Sequence, residues 1–337
     1  MLSRVADTLY WMMRYVERAE NVARFVDVGL SLSVDQHAGN TDALSPWEAV
    51  IKASGEEDSY KEHHGTVSAE QVLHFMSFDR HNENSILTCL SHARENARSV
   101  REVIASEMWE ALNRAYLMVH RASQENALRL RPHAFFKEVK LATHLFRGLH
   151  EDTMSHNEGW HFARAGSMVE RADQGSRIIE GHYSMLLGDP AHELTAAMEP
   201  SLVGLLKSMS AYEMYRKKYR RITAERVLEF LLLDWEFPRS VYACLHRCQR
   251  SIHAITGSKA GVATDEVTKR IGRLVARFAY FDPKDLPLAS LEEFLVEFRD
   301  ELAEVDWTIR ARFFGTSEDE SDGPSLSQEQ VQGPLGQ

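Results

Sequence analysis

Apolar and small residues recur near the N-terminus as Leu2, Val5, Leu9, Met12, Val16, Ala19, Ala23, Val26 and Leu30. This 3,4 alternation predicts one long amphipathic helix from Ser3 to Asp35. Comparable periods predict helices from Asn84 to Ser106, Met108 to Leu130, His133 to Thr153, Glu158 to Leu187 and Ser201 to Tyr219. Four more are expected from Ala224 to Trp235, Pro238 to Ile255, Thr264 to Phe278 and Ser290 to Phe314. The polar stretch from His37 to Ser68 has room for one short helix at Trp47 to Ala53. Pro132 ends a helix because its predecessor disfavours α geometry, whereas Pro238 suits a first helical position, where no N–H is required. No segment sustains the period-2 alternation of a strand, and no Asn-Gly hairpin turn occurs. The predicted class is all-α, a multi-helix bundle.

An internal repeat organises that bundle. Val16-Glu-Arg-Ala-Glu-Asn-Val-Ala-Arg24 returns 153 residues later as Val169-Glu-Arg-Ala-Asp-Gln-Gly-Ser-Arg177. The apolar seam returns with it, as Phe162, Ala165, Val169, Ala172, Ser176, Ile179, Tyr183 and Leu186. Two related Glu-Arg helices, at 9–31 and 162–184, are therefore expected to pack in one core. One residue after each seam position runs a charged stripe: Glu17, Glu20, Arg24 and Asp27 in the first copy, Glu170, Asp173, Arg177 and Glu180 in the second. Side chains three or four apart on a helix reach one another, and charges beside an apolar seam are costly unless paired. The same rule applied to the helix beginning near Asn84 gives Arg94, Arg98 and Arg101, whose guanidinium forks could bind the carboxylates in pairs. A structural ion network, a ligand site within it and a metal site are the open readings.

Composition narrows the partners. The 337 residues are 44% apolar and carry 50 acidic against 39 basic side chains, a net charge of −11 that argues against a protein holding DNA through its phosphates. Five acids and no Lys or Arg lie in 316–337, so residues 1–315 carry −6. The acidic tail has almost no apolar residue to bury and is expected to be disordered. Three cysteines and no apolar leader or 20-residue apolar run point to a cytoplasmic protein without a membrane span.

Other chemistry is sparsely signalled. Glu158-x-x-His161 is one of the two Glu-x-x-His pairs that a carboxylate-bridged di-metal bundle requires, a weak metal alternative. Cys244 and Cys248 read as small buried thiols rather than zinc ligands with His246. The basic run Tyr215 to Arg221 reads as a solvated face. Neither a P-loop nor a Gly-x-Ser-x-Gly elbow is present. Arg239 and Ser240, expected in the first turn of a helix, lie where anions are welcome; alternatively Asp234 pairs with Arg239 and fastens the corner.

Four stretches together resemble the alpha-E family, a bacterial all-helical domain named for its Glu-Arg motif. They are Leu9 to Arg24 with Glu17-Arg18-Ala-Glu20-Asn21, the second Glu170-Arg171, Ala93 to Asn113, and Phe237-Pro-Arg-Ser240. The resemblance covers residues 1–315; Met13 stands where the family commonly has glycine, and the tail lies outside the pattern. It implies company more than chemistry: such proteins are typically encoded with a circularly permuted ATP-grasp protein and a transglutaminase-like cysteine peptidase. The expected role is a non-catalytic or substrate-holding partner of an ATP-grasp ligase that forms amide bonds on an amino acid or peptide. ATP would be used by the partner, with no cofactor bound by this chain alone. The candidate site is the network of Glu17, Glu20, Arg24, Glu170, Asp173 and Arg177 with the three arginines of the Asn84 helix, the arginines holding a carboxylate or phosphate and the acids an amine. The alternatives are an independent carboxylate- or metal-dependent enzyme and a purely structural interaction module.

Overall fold

The computed structural model describes residues 1–35, 45–186, 199–259, 261–282 and 290–315. The tail 316–337 and the side chains of Tyr183 and Leu186 lie outside the described residues. All regular structure among the described residues is helical. The chain runs through α1 (Ser3–Asp35), α2 (Pro46–Ser54), α3 (Glu57–His64), α4 (Ala69–Ser77) and α5 (Ile86–Ser99). It continues as α6 (Ser106–Gln124), α7 (Ala127–Leu130), α8 (Pro132–Thr153), α9 (Glu158–Leu186) and α10 (Glu199–Ser208). The last five are α11 (Tyr212–Lys218), α12 (Ala224–Leu233), α13 (Val241–Thr256), α14 (Glu266–Ala279) and α15 (Leu291–Phe313).

The two repeat helices, α1 and α9, form the centre. Contacts between them advance together along both chains, from Met1 with Glu158 to Glu17 with Arg171, so the pair is parallel. With equivalent residues alongside each other, the repeat is related by an approximate two-fold axis between the helices. From Thr8 to Val26 every residue of α1 is buried. The seam residues Leu9, Met12, Val16, Ala19 and Ala23 face a common core with Ala165, Val169 and Ala172. α5 and α8 pack antiparallel to α1, and α13 packs antiparallel to α9, with His161 beside Ser251 and Arg171 beside Pro238.

Close approach of the central pair depends on Gly166. A Cβ there would run into the Tyr10 carbonyl of α1, which is backbone and cannot turn aside. Gly166→Ala is expected to destabilise the protein by about 1–3 kcal/mol. Urea unfolding checks this, and unchanged stability would mean that the helices can separate there at no cost.

Several boundaries differ from the periodicity. The expected helix from Asn84 to Ser106 ends at Ser99, although Val100 and Ile104 stay buried in the turns that follow. The expected helix from Ser201 to Tyr219 breaks at Ser210, which adopts the left-handed φ of 54°. Pro238 lies before α13 rather than in its first turn: Ser240 is the N-cap, its Oγ accepting from the Ala243 N–H at 3.1 Å. The stretch before Ser68 holds α3 as well as α2, and Tyr60 is the buried residue that anchors α3.

Candidate functional site

The Glu-Arg dipeptides exchange partners across the central pair. Arg18 donates through Nε to Glu170 Oε1 at 2.6 Å and through Nη2 to Oε2 at 3.0 Å. Reciprocally, Arg171 donates through Nε to Glu17 Oε1 at 2.8 Å and through Nη2 to Oε2 at 2.7 Å. Each helix thus supplies the acid for one bidentate fork and the base for the other, as the approximate two-fold requires. Both carboxylates are fully buried. Parallel helices with one register place the two dipeptides side by side, which is why the repeat preserves both residues at the same offset. The i,i+4 pairs Glu20–Arg24 and Asp173–Arg177 repeat the symmetry one turn further on.

Beyond the forks the two halves differ. Around Glu170, Arg14 reaches both Glu170 Oε2 at 3.0 Å and Asp306 of α15 at 2.6 Å, and the Tyr10 hydroxyl donates to the same Asp306. Two arginines there face two carboxylates. The offset maps Arg14 onto Ser167, which donates to Glu17 at 3.2 Å, and the cations on that side come from elsewhere. Arg147 of α8 spans Glu17 at 3.0 Å and Glu20 at 2.8 Å. Arg239 reaches Glu17 at 3.4 Å, Asn21 at 3.1 Å and Glu20, while Arg24 and His144 also bind Glu20. Burial alone would raise the Glu17 carboxyl, but Arg171, Arg147 and Arg239 outweigh it and hold it at about 2. Burial opposes ionisation of Glu20 too, and Arg239, His144, Arg147 and Arg24 hold it well below the usual carboxylate range.

This cation-rich side opens into a cavity of about 360 Å³ between α8, α9 and α13. Arg147, Arg164, Arg171, Arg239 and Arg247 line it, against the single acid Glu151. Arg147, Arg171 and Arg239 are tied to Glu17 and Glu20. Arg164 instead lies over the Trp160 ring at 4.7 Å, and Arg247 donates to the Pro238 carbonyl at 3.0 Å. Neither has a carboxylate within 4.0 Å among the described residues. Burial lowers the pKa of both; Arg171 and Arg250 repel each, while Glu151 pulls the other way. Arg239 is pushed down to about 10, chiefly by burial, with Arg171 and Arg24 repelling it. Such convergent guanidinium groups are prearranged to take an anion.

Paired Glu-Arg dipeptides on two helices of one all-helical unit are the family signature in physical form. The sequence profile of Alpha-E, described as "a predicted alpha-helical domain with a conserved ER motif", matches residues 1–314. The chain belongs to the Alpha-E family. It is similar, at 23% identity over 323 residues, to uncharacterized proteins of Mycobacterium bovis and Mycobacterium tuberculosis. Each match covers 91% of this Alpha-E chain and 36% of the relative, so the chain spans only about a third of the length of those curated relatives. No solved structure matches.

Within this Alpha-E structure the candidate residues separate into groups. Glu17, Arg18, Glu20, Asn21, Arg24, Glu170, Arg171, Asp173, Arg177 and Arg239 lie in the central network or next to it. Arg94, Arg98 and Arg101 do not join it. α5 has one buried seam, turned toward α1, and its next stripe faces α6: Arg94 binds Asn113 at 2.7 Å and Glu95, Arg98 binds Glu95, and Arg101 lies over Trp109. Ser240 is committed to capping, its hydroxyl also donating to the Asp234 carbonyl. Asp234 takes Lys218 at 2.7 Å instead of Arg239, because Arg239 points inward to Glu17 and Glu20. Glu158 holds the N-terminal amine at 2.9 Å and His161 sits 3.5 Å from Ser251, so the two do not converge on the repeat's acids. No group of three metal-ligating side chains occurs among the described residues. Glu17 and Glu20 carry arginines and have no surface exposed, which leaves them no room for a substrate amine.

Arg14, Arg147, Arg164, Arg247 and Asp306 escaped the sequence reading. A signal existed for one of them: Lys140, His144 and Arg147 form a 4,3 cationic stripe on α8 that answers Asp27, Glu20 and Glu17 on antiparallel α1. Cys89, Cys244 and Cys248 are all buried and free, and burial raises each thiol, to about 12, 11 and 12 respectively. No helix among the described residues is long and apolar enough to cross a membrane.

Proposed function

We propose that this Alpha-E chain is a non-catalytic, substrate-holding subunit that works beside an ATP-grasp amide ligase, and that the arginine-lined cavity holds the anionic part of the substrate. The observation that carries the reading is a cavity with five arginines, two of them without a carboxylate partner among the described residues. Saturation of Glu17 and Glu20 by buried arginines supports a holding role over general acid-base chemistry, since a carboxylate held at about 2 is a poor base near neutral pH. The partner belongs to the proposal on the strength of the family resemblance.

Copurification of the chain with the ATP-grasp protein encoded beside it, followed by ATP turnover with and without the chain, tests the partnership. A stable complex and a several-fold rise in turnover are expected, with the rise lost in an Arg164→Met/Arg247→Met variant. Absence of a complex together with unchanged turnover would overturn the partnership.

A further inference from the structure

The cavity's charges set a requirement on what it can hold. Five arginines and Glu151 line it, and Glu17 and Glu20 lie directly behind three of those arginines. Setting the three acids against the five bases leaves two positive charges: one among Arg147, Arg171 and Arg239, which share Glu17 and Glu20, and one between Arg164 and Arg247, on different helices, which Glu151 faces without an ion pair to either. Burial and repulsion from Arg171 and Arg250 already disfavour the Arg164 and Arg247 cations in the free protein. A single carboxylate would neutralise one and leave the other exposed to the same repulsion. A group with two negative charges satisfies both.

A second observation bears on the rest of the ligand. His150 lines the same cavity, is 2% exposed, and its Nε2 has no hydrogen-bond partner. Burial, with repulsion from Arg164 and His156, holds this imidazole neutral with a pKa of about 4. It therefore offers one neutral hydrogen-bonding position beside the two cations, and a buried polar atom left unpaired is costly until something fills it. Met13, Met168 and Pro238 supply an apolar wall. Two anionic positions, a short apolar path and one neutral polar position match the end of a peptide terminating in glutamate or aspartate. Its α-carboxylate and side-chain carboxylate are separated by methylene groups and adjoin an amide N–H. A volume of about 360 Å³ suits such a residue and little more.

We infer that the cavity binds a dianion, and specifically the acidic C-terminal residue of a peptide, through Arg164 and Arg247 with His150 reading the adjoining amide. This deepens the proposed substrate-holding role and rests on the cavity being the ligand site.

Isothermal titration of the full chain with N-acetyl-L-glutamate, N-acetyl-L-glutamine and inorganic phosphate tests it. N-acetyl-L-glutamate is expected to bind at least tenfold more tightly than the glutamine analogue, and more tightly than phosphate. Arg164→Met and Arg247→Met should each weaken it tenfold or more, with far-UV circular dichroism unchanged. Equal affinity for the glutamate and glutamine compounds, still lost in the arginine variants, would overturn the dianion requirement while leaving the cavity as an anion site. Tighter binding of phosphate would overturn the peptide end. Binding of none of the three, or binding indifferent to both arginine variants, would overturn the substrate-holding reading of the cavity as well.

Discussion

Glu17→Ala is expected to destabilise the fold by about 3–5 kcal/mol, the range seen when one partner of a buried ion pair is removed. The substitution would leave Arg171 without the carboxylate of its bidentate fork, and strip one of two carboxylate anchors from both Arg147 and Arg239. Those cations would then confront Arg164 and Arg247 with only Glu20 and Glu151 in compensation. Glu170→Ala should cost a similar amount by removing both oxygens of the Arg18 fork, although Arg18 keeps Asn84 and Arg14 keeps Asp306. Replacing both members of one fork together, as Arg18→Leu/Glu170→Leu, should cost less than the sum of the single changes, because neither partner is left buried and charged. Chemical unfolding of the singles and the double closes this cycle. A Glu17→Ala loss below about 1 kcal/mol would show that the forks contribute little to holding the central pair.

Acidification from pH 7 to pH 5 should cost about 4 kcal/mol through two buried histidines. His150 and His182 are both held at about 4 by burial, against an ordinary value of 6.5. A histidine with a lowered folded pKa leaves stability intact above 6.5 and removes it as the pH falls toward 4, because the unfolded chain takes up the proton first. Each pH unit in that window costs about 1.4 kcal/mol per histidine. Glu17, held at about 2, acts in a separate window: its contribution survives at pH 5 and is lost only as the pH falls from 4.5 toward 2. Thermal unfolding at pH 7.0 and 5.0 reads the first window, and His150→Phe should remove about half of the loss. A melting temperature unchanged between these pH values would contradict the burial assigned to both imidazoles.

Much of the centre was legible because helical periodicity and an internal offset are one-dimensional signals. The seam from Leu2 to Leu30 predicted α1 with its ends, and the offset of 153 predicted two equivalent helices. What the offset does not encode is the exchange of Arg18 and Arg171 between helices, which depends on the pair lying parallel and side by side. The α5 arginines were misplaced because the stripe beside a seam is interior only where a helix is surrounded, as α1 is; α5 has one buried face and sends that stripe toward Trp109 and Tyr116. Arg164 and Arg247 carry no local pattern at all. Their meaning comes from the antiparallel packing of α9 and α13, which brings residues far apart in the chain to one cavity. The break at Ser210 was equally silent, since no glycine or proline marks it.

The central question is whether the unpaired arginines of the cavity serve a ligand or the fold. Equilibrium unfolding of Arg247→Met in ligand-free buffer separates the two most directly. Methionine keeps the apolar stem and removes a cation that faces Arg171 and Arg250 and is disfavoured by burial. The hydrogen bond to the Pro238 carbonyl is lost, at a cost of about 1 kcal/mol, while relief of repulsion offsets it. A cavity held open for an anion predicts stability within about 1 kcal/mol of the parent protein. A loss above about 2 kcal/mol would contradict this and make Arg247 part of the structural ion network.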